Sequence, residues 1–168
     1  QALTEYIHAY IAIKILSKRW ELGDPDGFSF NMSVGYDLAG IQTPKMNAFI
    51  DGMMDAEHLP TFTRAIEEAQ AILPDMAEYI RAIDPHICRS VTISTLHGCP
   101  PQEIERIASY LLKEKHLHTF VKCNPTILGY KTARTILDSM GYDYIVFDEH
   151  HFNEDLQWAD AVPMFERL

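Results

Sequence analysis

The stretch VTISTLHGCPPQEIERIASYLLKEKHLHTFVKCNPTILGYKTARTILDSMGYDYIVF, residues 91–147, decides the fold. A β-branched run at 90–95 (SVTIST) reads as a strand. From Pro101 to His116 the apolar residues Ile104, Ile107, Ala108, Leu111 and Leu112 recur at helical spacing, and proline suits a first turn. TFVKC at 119–123 is a second strand. Residues 130–140 form a helix with Ala133, Ile136, Leu137 and Met140 inward and Gly141 as its stop. YIVF at 144–147 reads as a buried third strand. Strand, helix, strand, helix, strand at this spacing means right-handed βαβ units and a parallel sheet.

Working outward, FSFNMSVG at 28–35 adds a strand upstream, over 28–34. Before it, residues 2–20 carry helical periodicity, with Lys14, Lys18 and Arg19 late, and Gly23-Asp24-Pro25-Asp26-Gly27 ends that helix in turn chemistry. Further helices are expected from Pro44 to Met54, over 61–73 and over 74–83, the last two meeting at Pro74. A closing helix is expected over 153–167, despite Pro163. The class is therefore α/β, as an open doubly wound sheet or part of a (β/α)₈ barrel of about 250 residues. No G-x-G-x-x-G or P-loop follows any strand, so the half-barrel is preferred, as roughly strands 3 to 6 of a TIM barrel. The domain reading is a leading helix and turn over 1–27, then a partial barrel over 28–168. Because the chain opens at Gln1 directly into helical sequence, it is read as a segment of a larger multidomain protein.

Bulk properties narrow the function. A formal charge of −10 and a pI near 5.1 argue against nucleic-acid or anionic-membrane partners. No apolar run approaches the roughly 20 residues that span a bilayer. Cys88, Cys99 and Cys123 are an odd set without C-x-x-C spacing, as expected of reduced thiols in a cytoplasmic protein.

In either architecture chemistry belongs at the C-terminal ends of the strands. The first strand end offers Ser33 and Gly35, the second His97 and Cys99, the third Lys122, Asn124 and Thr126, and the fourth Asp148-Glu149-His150-His151. Lys122 lies in an otherwise apolar strand, where a cation is costly unless paired, used or turned outward. Its functional readings are support of an anionic cofactor or a Schiff base. Cys99 precedes the clearest helix, whose N-terminal field lowers a thiol's pKa; the plain alternative is an inert buried cysteine. His97 could assist Cys99 or cap a backbone group. Asn124 and Thr126 offer ligand recognition or turn chemistry. The Asp148–His151 run reads as a solvated loop, because neighbours on an extended chain point to opposite faces and no second ligand cluster matches it.

Taken in order, FNMSVGY, HGCPP and FVK-x-NPT resemble the strand ends of the dihydropyrimidine and dihydroorotate dehydrogenase barrels. They resemble more narrowly the iron–sulphur subunits of the selenate reductase type, larger chains of the same build. That resemblance implies a flavin-dependent oxidoreductase with FMN as cofactor. Lys122 would then support the reduced flavin, with Ser33 and Gly35 beside the cofactor and Cys99 as the proton donor or acceptor. Asn124, Thr126 and His97 would contact a small-molecule substrate. Where those dehydrogenases hold a pyrimidine through asparagine three residues before the cysteine, this chain has Leu96, and Pro101 stands where they have asparagine or histidine. The resemblance thus implies a different substrate, a nitrogen heterocycle being one option.

The same resemblance puts the flavin-phosphate loops beyond Leu168, so this segment alone is expected to bind FMN weakly or not at all. It also puts iron–sulphur clusters, with FAD or NAD(P)H, elsewhere in the parent protein. Other domains or subunits of an oxidoreductase are the expected partners, and an unclosed sheet is expected to drive self-association. Two readings compete: a class I aldolase-type lyase using Lys122, and a non-catalytic structural segment of an oxidoreductase complex.

Overall fold

A computed structural model of the chain describes residues 1–94 and 99–168. Its elements alternate as the sequence demands: α1 Ala2–Arg19, β1 Phe30–Val34, α2 Leu38–Ile41, α3 Pro44–Met54, α4 Pro60–Ile72, α5 Ala77–Arg81, β2 Cys88–Ser94, α6 Pro101–Ser109, β3 His118–Lys122, α7 Tyr130–Ser139, α8 Glu149–Glu154 and α9 Trp158–Arg167. The three strands form one parallel sheet in the order β1-β2-β3, a partial barrel of the α/β class expected. Contacts divide the chain into two compact units, Gln1–Met32 with Gly40–Ser90, and Ser33–Ala39 with Val91–Leu168. These are packing units; the division at residue 27 concerns the parent fold and stands as a proposal.

In the first unit α1 packs on α4 and α3. Its buried stripe Ile7, Ile11 and Ile15 meets a core that includes Ile50, Met53, Phe62 and Ile80. Gly52 permits this approach, since a Cβ there would lie 2.6 Å from Leu3 Cδ2. Aromatic edges from Tyr6, Tyr10, Phe28 and Phe30 seal the start of β1.

The second unit holds the cluster Ile104, Leu156, Ala161 and Met164, with Cys99, Val121, Cys123 and Ile127 packed against it. Arg167 fixes α9 to α6 by a two-pronged pair with Glu105, at 2.8 and 2.7 Å. The helix expected to run to residue 116 is α only to Ser109. Tyr110–Glu114 is a π-turn closed by the Lys115 amide donating to the Tyr110 carbonyl at 3.1 Å, and His116 ends it at φ 54°.

Two expectations need correction. Residues 144–147 form no strand, and Tyr144 and Val146 are exposed instead of buried. The cause is local: the Arg134 guanidinium takes the carbonyls of Tyr142 (2.8 Å) and Ile145 and stacks on the Phe147 ring, so groups that a ladder would use are occupied. The closing helix is also two helices, α8 and α9, broken at Asp155, where Gln157 Nε2 donates to the Asp155 carbonyl at 2.8 Å.

Candidate functional site

Strand alternation sorts the side chains of the second unit onto two faces of the sheet. Val34, Val91, Ile93 and Val121 turn to the covered side, and Ser33, Thr92, Ser94, Phe120 and Lys122 turn to the other. The uncovered side is therefore polar at the strand ends. Gly35 continues β1 beyond Val34, and a Cβ on it would stand 3.9 Å from the Ser94 carbonyl, so the ends of β1 and β2 lie side by side. Gly35 keeps an ordinary negative φ, and its contribution is the side chain it lacks.

Lys122 is the last residue of β3 and is exposed. Of the readings open for a cation in an apolar strand, the outward one holds: the β pleat turns the side chain to the uncovered face.

Cys99 sits two residues ahead of α6, half-buried against the Ile104 cluster. Its thiol is pushed up, first by burial and then by the Glu103 carboxylate, which reverses the expectation that the helix field would lower it. Glu103 is itself held: Oε1 accepts the Leu38 amide at 2.9 Å and Oε2 pairs with Arg106 at 2.9 Å. A thiol so placed stays protonated at neutral pH. Cys123 is likewise pushed up by burial. His97 lies outside the described residues.

Asn124 and Thr126 follow β3 and open the 3₁₀ turn Pro125–Leu128, which Gly129 ends at φ 77°. Both side chains turn to one acceptor, Asp155 Oδ2: Asn124 Nδ2 donates at 3.2 Å and Thr126 Oγ1 at 2.8 Å. Asp155 is only 7% exposed and forms the polar end of a cleft of about 550 Å³ walled by Leu128, Ile136, Phe147 and Phe152. Sequence reasoning missed Asp155, because it sits in the break of what reads as a single helix. The Asp148 carboxylate caps α8 by accepting the His150 amide at 2.9 Å, and His150 and His151 both pair with Glu154. Among the described residues no set of three or more His, Cys, Asp or Glu side chains could hold a metal ion.

A flavin would meet residues of a fitting kind here: an exposed cation at a strand end, small polar groups on the same face, and a protonated thiol one strand away. Comparison with known proteins gives an oxidoreductase family and names no cofactor. The profile of the family described as "Oxidoreductase YgfK, N-terminal TIM-barrel domain" matches residues 1–168. Two curated proteins, both named "Putative oxidoreductase YgfK", from Escherichia coli strain K12 and from strain O157:H7, are each 44% identical over 184 aligned positions. The alignments cover 100% of this chain and 18% of each relative, so the chain spans under a fifth of their length. No solved structure matches the chain significantly. These likenesses support an oxidoreductase in general and not selenate reduction in particular.

Proposed function

Since this chain belongs to the YgfK-type oxidoreductase family as its N-terminal TIM-barrel domain, we propose that it forms part of the FMN site of a flavin-dependent oxidoreductase. The observation that carries this reading is the position of Lys122. It ends β3 on the uncovered face that also bears Ser33 and Ser94, with Gly35 keeping the end of β1 open beside that of β2. FMN, when bound, supplies the hydride chemistry. The Lys122 ammonium favours negative charge over the strand ends, and Ser33 donates or accepts a hydrogen bond there. Cys99 holds a proton on Sγ, because burial and Glu103 disfavour its thiolate, and it is suited to exchange that proton with substrate. Asn124 and Thr126, tied to Asp155, present the substrate side of the same strand end. The substrate is a small molecule, and the further cofactors of the parent, iron–sulphur clusters with FAD or NAD(P)H, lie outside these residues.

The test is reconstitution. FMN added to the intact natural polypeptide loses its fluorescence on binding, and Lys122→Met weakens that binding at least tenfold. Borohydride with simple aldehydes and ketones traps no adduct on Lys122. A trapped adduct with unquenched flavin would instead establish the lyase reading.

A further inference from the structure

A second cleft, of about 290 Å³, lies in the first unit, where the chain enters β1 and β2. It is separate in sequence and chemistry from the strand ends above and does not depend on the flavin reading. Three of its lining residues are hydrogen-bond donors with capacity to spare. Lys14 is 5% exposed, yet its ammonium, with three protons to give, has one oxygen partner, Asp26 Oδ1 at 3.0 Å. The rings of Phe28 and Tyr10 lie 5.0 and 5.5 Å from its Nζ and supply no further acceptor. Tyr10 is 3% exposed, and its hydroxyl forms no hydrogen bond among the described residues. Arg89 is exposed and makes neither hydrogen bond nor ion pair among them.

Of the two acidic groups of the cleft, only Asp26 is loosely held. The Asp26 side chain is 80% exposed, a counter-ion held at the rim. Asp84 is engaged elsewhere, its Oδ1 accepting the His86 amide at 2.9 Å and meeting His86 Nδ1 at 2.7 Å. Lys14 and Tyr10, with the Arg89 guanidinium at the exposed side, surround one cavity. Its two carboxylates are Asp26, displaceable at the rim, and Asp84, which is held by His86 and acts on Arg89 and Tyr10. The three donors make a receptor for an anion. Phe28, Tyr10 and Ile87 make its walls apolar.

We propose that this cleft binds a small organic carboxylate, which takes the place of Asp26 on Lys14 and accepts from Tyr10 Oη and the Arg89 guanidinium, its apolar part lying against Phe28 and Ile87. A carboxylate gives the Lys14 ammonium a charge-assisted acceptor in place of the exposed Asp26 and gives the Tyr10 hydroxyl an acceptor as well.

The experiment is calorimetric titration of the intact natural polypeptide with benzoate, with its neutral isostere benzamide, and with inorganic phosphate. Benzoate is expected to bind saturably at about 1 mM, a typical efficiency for nine heavy atoms. Benzamide binds at least tenfold more weakly. Arg89→Gln weakens benzoate at least tenfold. Asp26→Asn tightens it severalfold, because the competing carboxylate is gone. A purely structural Lys14–Asp26 pair predicts no such gain. Both altered side chains are exposed, and near-ultraviolet circular dichroism checks that each variant is folded. Should Asp26→Asn unfold, Arg89→Gln decides. No saturable benzoate binding, equal affinity for benzamide, binding of phosphate alone, or indifference to Arg89→Gln would each overturn the proposal.

Discussion

Replacing Ile104 by alanine tests the packing beneath the proposed proton donor. Ile104 is 1% exposed and central to the cluster with Leu156, Ala161 and Met164, against which Cys99, Val121 and Cys123 rest. The change deletes three carbons, a transfer loss of about 2.4 kcal/mol at about 0.8 kcal/mol per buried carbon. A cavity is left because the surrounding packing relaxes only in part. The total expected loss is about 3–4 kcal/mol, within the range for such deletions. In a chain of this size that lowers the thermal midpoint of the unit by about 6–16 °C. Cys99 rests on the same cluster, so the loosened packing exposes its thiol and relieves part of the burial that is the first cause of its raised pKa. Its thiol should then fall toward the ordinary range and alkylate faster with iodoacetamide at pH 8. Urea unfolding and the alkylation rate of Cys99 are the two readouts. A loss below about 1 kcal/mol with an unchanged alkylation rate would refute the cluster as the setting of Cys99.

Three further outcomes follow from the geometry. Burial, with Asp84 and Asp26 behind it, pushes Tyr10 up to about 12. Burial also raises Cys99 and Cys123, with Glu103 adding to the rise at Cys99. Raised groups stabilise the fold below their unfolded pKa values and lose that contribution as pH climbs through the folded ones. The urea midpoint should therefore fall steadily from the ordinary thiol range up to about pH 12, and a flat midpoint would contradict this. Gly129→Ala should cost about 1–3 kcal/mol: there is space for the methyl, but φ 77° with ψ 151° is strained for any L side chain. Its mark is a shift of the Asn124 and Thr126 amide resonances as the turn gives way. Gly52→Val should destabilise by about 1–3 kcal/mol, since the first added carbon already meets Leu3 Cδ2 at 2.6 Å, and paired replacement of Leu3 by alanine should recover part of the loss.

Periodicity made most of the fold legible. The periodicity of α1, the β-branched run of β2 and the alternation in β1 are local patterns that formed close to the expected place, whereas in α7 only Ala133 is buried and Ile136 and Met140, expected inward, are exposed. What escaped depended on partners distant in sequence. YIVF at 144–147 has strand composition, but a strand exists only with a ladder, and Arg134 holds the carbonyls. The π-turn at Tyr110–Glu114 reflects how the helix end meets β3, which spacing does not encode.

The candidate site was legible as a set of strand ends and not as an environment. Which residues end each strand could be read from the sequence, whereas the exposure of Lys122 and the upward shift of Cys99 depended on what packs behind them. Asp155 could not be seen at all, because a buried carboxylate two helices away from its donors leaves no local signature.

The central claim, that these strand ends belong to a flavin site with Lys122 as its cation, is tested most directly by the visible absorption spectrum of the intact natural polypeptide as isolated, beside its Lys122→Met variant. The expected result is a flavin absorbance of which about one equivalent per chain is FMN, told from FAD by chromatography of the released flavin, with that FMN lost or strongly reduced in the variant while circular dichroism stays unchanged. A colourless protein that stays colourless on adding FMN, or bands indifferent to the loss of Lys122, would contradict it.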